Sequence, residues 1–272
     1  EIMPSLVGSE MCIRDRNIQR KPKGHLYLYP LIAIAAMLAI VFVMDLPHMH
    51  KPKQQLSQTI RIPAGQRAQM DLPDGSIVWL NSQTTLTYDE NFGKKDRKVT
   101  LDGEAYFEVA HNKEIPFYVQ TENIKVQVTG TKFDVCSYKG SNSFIARLIE
   151  GSINLLTNNA KEEKPITSLT KGKYFSMENG KYKTGEMSSN NALAWMQGIY
   201  YFDDVPFKEL LDKIALYYNY KITVKNPKIL ENYRCTGKFK DLDGIEHILK
   251  VIQKDHPFKY NIDNEHNKIT IE

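Results

Sequence analysis

Lys98-Val-Thr-Leu-Asp-Gly-Glu-Ala-Tyr-Phe-Glu-Val109 decides how most of this chain is read. Val99, Leu101, Ala105, Phe107 and Val109 alternate with Lys98, Thr100, Asp102, Glu104 and Glu108, the period-two pattern of a strand with one face in a core and the other in water. Gly103 interrupts the pattern and marks either a bulge or a close approach of two backbones. Alternation recurs at Ile124, Val126 and Val128 and at Phe133 and Val135, and short runs of strand formers lie at 77–80, 144–149 and 153–156. Gly, Asn, Asp and Pro separate these runs, so residues 59–187 are predicted to form an all-β domain. Pro73-Asp74-Gly75 falls between two of them. Pro presets the first central residue of a turn, Asp suits the second and Gly takes the positive φ that follows, so turn chemistry accounts for all three residues, the acid included.

Past Gly185 the period becomes helical. Phe207, Leu210, Leu211, Ile214, Ala215 and Tyr218 share one face, as do Ile245, Ile248, Leu249 and Ile252, which predicts two amphipathic helices. Asp204-Val-Pro206 offers a start for the first, with Asp as N-cap, and Asp243 can cap the second. Strand-forming runs at 200–202, 221–224, 234–239, 258–262 and 268–271 surround them. The order is β-α-β then β-α-β-β, a small α+β domain over residues 192–272 with its helices packed on one sheet.

In front of these regions, Leu26 to Met44 is a run of nineteen residues without a charged side chain. As a helix it covers about 28 Å, close to the ~30 Å hydrocarbon thickness of a bilayer. It reads as a single transmembrane helix. A cleaved signal peptide is the competing reading, but signal cores run to about 7–15 residues and end in small residues, whereas this run is longer and ends Val-Met-Asp-Leu-Pro. Arg20, Lys21 and Lys23 before the run outnumber Lys51 and Lys53 after it, which places the N-terminus in the cytoplasm. Residues 45–58 read as a linker. Pro4 to Arg16 resembles the translation of a sequencing adapter, so residues 1–16 are expected to be non-native and 17–25 a cytoplasmic remnant.

The 272 residues carry a net charge of +4 with acids and bases interspersed, which argues against a dedicated nucleic-acid surface. Cys12 lies in the adapter-like segment; Cys136 and Cys235 are far apart and are expected as free buried thiols. His48-Met49-His50 lacks the carboxylate or thiol that would complete a metal site, and His111, His247, His256 and His266 stand in no nucleophile or metal motif. Glu104 and Glu108 could in principle form a glycosidase-like carboxylate pair, but a solvated strand face explains them more simply. No enzyme, cofactor or metal is expected.

Ile62-Pro-Ala-Gly-Gln-Arg67, Leu72-Pro-Asp-Gly-Ser-Ile-Val-Trp-Leu-Asn81, the stretch Val99 to Ala110, Pro116-Phe117 and Thr129-Gly-Thr-Lys-Phe-Asp-Val135 together resemble the periplasmic domain of FecR-type transmembrane sigma regulators. Ala194-Trp-Met-Gln-Gly-Ile-Tyr-Tyr-Phe202 through Pro206-Phe207 is similar to the C-terminal domain of the Bacteroidetes branch, itself similar to the short signalling domain of secretins and TonB-dependent receptors. The resemblance implies an inner-membrane, single-pass anti-sigma factor with its folded domains in the periplasm. Its implied partners are an extracytoplasmic-function sigma factor, held by a cytoplasmic segment that is expected to be truncated in this sequence, and the signalling domain of a TonB-dependent outer-membrane receptor, besides membrane lipid. No direct nucleic-acid contact is implied. A membrane-tethered carbohydrate-binding or adhesive module is the alternative. For the receptor contact, Lys268, Ile269, Thr270 and Ile271 are read as a candidate edge strand open to strand addition, with simple internal pairing as the competing reading. Trp195, Tyr200, Tyr201 and Phe202 are read as core rather than as binding residues.

Overall fold

Alternating side chains lie on opposite faces of a strand, so a twelve-residue run such as 97–108 can pair with different neighbours along its length and join two layers. The computed structural model describes residues 28–49, 56–158, 163–187 and 190–272. The adapter-like segment 1–16, the remnant 17–25, the flanking Arg20, Lys21, Lys23, Lys51 and Lys53, and His50 lie outside the described residues.

One unit contains the helix α1 (Leu28–Met49), 22 residues in which the described side chains of Ile32, Ile34, Met37, Leu38, Ile40, Val41 and Phe42 are all exposed. Among the described residues, no helix is long and apolar enough to cross a membrane.

Among the described residues, the second unit, 55–272, begins with thirteen strands. In chain order they are β1 (Ser57–Arg61), β2 (Ala68–Asp71), β3 (Ile77–Leu80), β4 (Thr85–Asp89), β5 (Arg97–Glu108), β6 (Phe117–Gln120) and β7 (Ile124–Val128). There follow β8 (Lys132–Ser137), β9 (Ser143–Glu150), β10 (Ser152–Thr157), β11 (Pro165–Thr170), β12 (Lys173–Glu178) and β13 (Lys181–Glu186). The long β5 is the common member. Its first half pairs with β4 and, in parallel, with β6, which continues through β7 and β10 to β11. Its second half pairs with β3 and β8, and that layer continues through β9 and β12 to β13.

The core lies between the layers. Phe107 of β5 stacks on Phe133 of β8 with centroids 5.1 Å apart and meets Phe117 of β6 edge-on at 6.0 Å, so one ring ties both layers together. Gly103 sits where β5 changes partners. Its φ is +134°, and a Cβ there would lie 2.4 Å from Thr84 Oγ1 and 2.6 Å from Thr84 Cα. Close approach of backbones is therefore the reason for glycine.

The remaining elements are β14 (Ile199–Pro206), α2 (Phe207–Tyr218), β15 (Lys221–Val224), β16 (Arg234–Lys240), α3 (Gly244–Asp255), β17 (Tyr260–Asp263) and β18 (Lys268–Ile271), in the β-α-β, β-α-β-β order. Instead of one sheet they build two: β14 with β16, and β15-β18-β17. Helix α2 packs against β14, β15, β16 and α3. Its buried residues are Phe207, Leu210, Leu211, Ile214 and Tyr217, so Tyr217 rather than Tyr218 completes the buried stripe. Neither predicted cap forms. Asp204 has φ +48° and pairs with Arg234 of β16, α2 begins after Pro206, and Asp243 makes no side-chain cap bond to α3.

Strand β18 corrects the edge-strand expectation. Lys268, Ile269, Thr270 and Ile271 pair in parallel with β15 and antiparallel with β17, so both backbone edges are already hydrogen-bonded, and Ile269 and Ile271 are fully buried. The edges of this sheet are β15 and β17.

Candidate functional site

Turn chemistry positions the first polar cluster. Pro73-Asp74-Gly75 connects β2 to β3, with Gly75 at φ +81° and its N–H donating to Leu72 O at 3.0 Å. The Asp74 carboxylate accepts from Ser76 N–H (3.0 Å) and Ser76 Oγ (2.8 Å), then from Arg97 Nη1 at 3.2 Å. Arg97 is buried at the start of β5. It also donates to the carbonyls of Ala110, Asn112 and Ile115 at 2.7, 3.1 and 2.7 Å. This side chain satisfies a non-repetitive loop that has no strand partner of its own, so the cluster is structural.

The second polar cluster lies on the outer face of β5, β8 and β9. Glu104 and Glu108 do not come together. Glu108 accepts from Tyr106 Oη (3.2 Å) and faces Lys132 (3.4 Å) in partial exposure, whereas Glu104 is only 4% exposed. The expectation of a solvated face therefore fails at Glu104, because the C-terminal elements cover it. Asn81 Nδ2 donates to Glu104 Oε2 at 2.6 Å, and Tyr217 Oη of α2 reaches the same oxygen at 3.4 Å. Asp134 of β8 and Arg147 of β9 are register partners and form an ion pair at 2.5 Å; the same guanidinium lies 3.8 Å from Glu104 Oε1. Burial pushes the Asp134 carboxyl up to about 7, with Arg147 pulling it down and Glu104 pushing it further up. Burial likewise raises the thiol of Cys136 and the phenol of Tyr217, Glu104 adding to both.

Covering this face are Trp195, 4% exposed, from the 3₁₀ segment Asn190–Gln197, and α2. Glu104, Cys136, Arg147, Trp195, Lys213 and Tyr217 border a cavity of about 90 Å³, room for a few water molecules. The C-terminal end of α2 is held by the β-rich region: Tyr217 O accepts from Gly65 N–H (3.0 Å) and Ser82 Oγ (2.7 Å), and Leu216 O accepts from Gln83 Nε2. These are the carbonyls that a helix end leaves without intrahelical partners. Arg67 and Asp241 add an ion pair across the same boundary at 2.5 Å.

None of Asn81, Asp134, Arg147, Lys213 or Tyr217 stands out as a site residue in the sequence. A single charge inside each of two apolar runs, 133–135 and 144–149, is the available signal, but only the β8/β9 register shows that the two charges face each other. Trp195, Tyr200 and Phe202 are buried core residues and Tyr201 is half-buried beneath Lys238. Among the described residues, no group of three or more His, Cys, Asp or Glu side chains is arranged to hold a metal.

The family model of the FecR protein matches residues 58–154, and the model of the FecR C-terminal domain matches 199–271. Two crystal structures of a candidate anti-sigma factor from Parabacteroides distasonis ATCC 8503, at 2.50 and 1.65 Å, are similar in fold, each with a TM-score of 0.67 at 24% identity, covering 79% of this chain and 98% of that one. No curated protein matches the chain. With the FecR domain on the doubly paired β5 and the FecR C-terminal domain built around α2 and α3, the chain belongs to the FecR family.

Proposed function

We propose that this protein is a FecR-type anti-sigma regulator, anchored in the inner membrane by residues 26–44 and relaying the state of a TonB-dependent outer-membrane receptor to an extracytoplasmic-function sigma factor. The observation that carries the reading is the succession of the FecR domain and the FecR C-terminal domain in one chain. The uncharged composition of 26–44 is what supports the anchor. In this reading residues 17–25 face the cytoplasm, 45–58 form the spacer, and 59–187 and 192–272 are periplasmic domains. Backbone pairing with a receptor's signalling domain would use the free edges at β15 or β17, since β18 is enclosed.

No observation favours the carbohydrate-binding alternative. Such a module needs an exposed aromatic platform, and the aromatics gathered at the junction are buried or packed, Trp79 against Tyr106 at 5.4 Å. Regulation needs no bond-making chemistry.

Cysteine substitutions at Gly172 and Asn232, probed with a membrane-impermeant maleimide, test the topology; labelling only after the inner membrane is opened from the cytoplasmic side would refute it. A pull-down with receptor signalling domains against a panel of glycans tests the partner. Retention of the receptor signalling domain without retention of glycans is the expected result, and glycan retention alone would refute the regulator reading.

A further inference from the structure

The covered face of β5, β8 and β9 carries an unequal set of charges. Glu104 and Asp134 are 5% and 0% exposed at their side chains, and the one guanidinium between them, Arg147, is 17% exposed. The other groups facing Asp134 do not correct the imbalance. On β5 it meets Tyr106, itself bonded to Glu108, and along β8 it neighbours Cys136. Trp195 closes the 3₁₀ side, while Tyr217 and Lys213 approach from α2. Lys213 is the only further cation bordering this cavity among the described residues. It is one-third exposed and engaged by Glu209 at 2.9 Å. Glu150 adds a further negative charge on the Tyr106 side.

We propose that the junction between the FecR domain and the C-terminal domain is a proton-linked latch: the docked arrangement takes up one proton from solvent at Asp134, which is enclosed with the Glu104 carboxylate around the single Arg147 guanidinium, and undocking returns it. The physical basis is that two buried carboxylates on one guanidinium cannot both stay ionised cheaply, whereas in water both ionise freely. The upward displacement of Asp134 to about 7 agrees in direction. For the sign, a carboxyl whose value rises on docking strengthens the docked state fully below its ordinary value of 3.8, and that contribution is lost as pH rises through about 7. The junction therefore loosens from acid toward neutral pH and levels off above it.

The geometry supplies a discrete element for the proton to bias. Gly65 N–H, Ser82 Oγ and Gln83 Nε2 all end on the last carbonyls of α2, and the Arg67–Asp241 pair spans the same boundary, so these contacts part together. The boundary is mixed: beside these polar contacts, Tyr106, Trp79 and Ile149 of the FecR domain pack into the apolar cluster of the C-terminal elements. The latch is independent of which sigma factor or receptor the protein serves.

The chain carries its own reporter, because its two tryptophans, Trp79 and Trp195, both pack at this junction. The experiment follows their emission from pH 5 to 8 on the full chain, together with Gly65 amide protection corrected for intrinsic exchange and far-ultraviolet circular dichroism. The docking equilibrium is expected to weaken by up to about tenfold per pH unit across the window, with unchanged circular dichroism. Asp134→Asn, a neutral isostere, is expected to remain docked and lose the pH dependence. Should that variant not fold, Glu104→Gln removes the surplus carboxylate and is expected to flatten the same profile. Flat wild-type emission and protection, a variant that keeps the wild-type profile, or loss of circular dichroism in parallel with emission would each overturn the latch.

Discussion

Replacing Gly103 by alanine tests the idea that β5 joins two layers through a backbone contact only glycine allows. A Cβ at this position would lie 2.4 Å from Thr84 Oγ1, 2.6 Å from Thr84 Cα and 2.7 Å from Thr84 Cβ, and φ is +134°. The backbone strain costs on the order of 1–3 kcal/mol and the overpacking roughly 1–3 more. Thr84 cannot retreat freely, because its Oγ1 accepts from Glu104 N–H at 3.0 Å and lies 3.1 Å from Glu104 O. The expected loss is about 4 kcal/mol, a fall in melting temperature of roughly 8–16 °C for a unit of this size. Gly75→Ala is the matched control: φ is +81° but nothing lies within 4 Å of the new Cβ, so only about 1–2 kcal/mol of conformational strain is expected. Differential scanning calorimetry of the two variants compares them directly. Because Thr84 Cα is itself in the way, adding Thr84→Ala is not expected to restore Gly103→Ala. Equal shifts for the two glycine variants, or full restoration by Thr84→Ala, would refute the close-approach argument.

Arg97→Met leaves Asp74 without its buried cation and strips three loop carbonyls of their donor, so it is expected to cost about 3–5 kcal/mol in urea denaturation. A loss below about 1 kcal/mol would contradict the role given to this side chain; Lys213→Ala, which breaks only the pair along α2 with Glu209, is expected to stay within about 0.5 kcal/mol. Burial raises the thiols of Cys136 and Cys235, so little thiolate forms at pH 7.5 and iodoacetamide labelling of either is expected to be at least about tenfold slower in the native protein than in urea. Equal native and denatured rates at Cys136 would mean that the junction does not cover it.

Local pattern carried far in this chain where one neighbour shell decides the outcome. From Arg97 to Leu101 burial alternates residue by residue, and on α3 the buried residues Ile245, Ile248, Leu249 and Ile252 are those that share a face in the sequence. Pro73 to Gly75 is legible because a turn is solved by three consecutive residues. The pattern loses its meaning after Gly103, where Glu104 and Tyr106 keep the outward direction of a half-buried strand but are buried by segments that begin nearly ninety residues later, at Asn190. Similarly, four residues such as Lys268–Ile271 look the same at an edge or in the centre of a sheet, because alternation reports which side a residue faces and says nothing of how many strands flank it.

What the residues by themselves determined was the alternation, the turns, the helix faces, the order of elements and the resemblance that the FecR models then matched. Only the tertiary structure decided which polar side chains meet: Asp74 with Arg97, Glu104 with Asn81 and Tyr217, and Asp134 with Arg147. The physical reason is range. Periodicity and turn chemistry arise from backbone geometry over a few residues, whereas the burial of a charge depends on strand register and on surfaces brought together from distant parts of the chain.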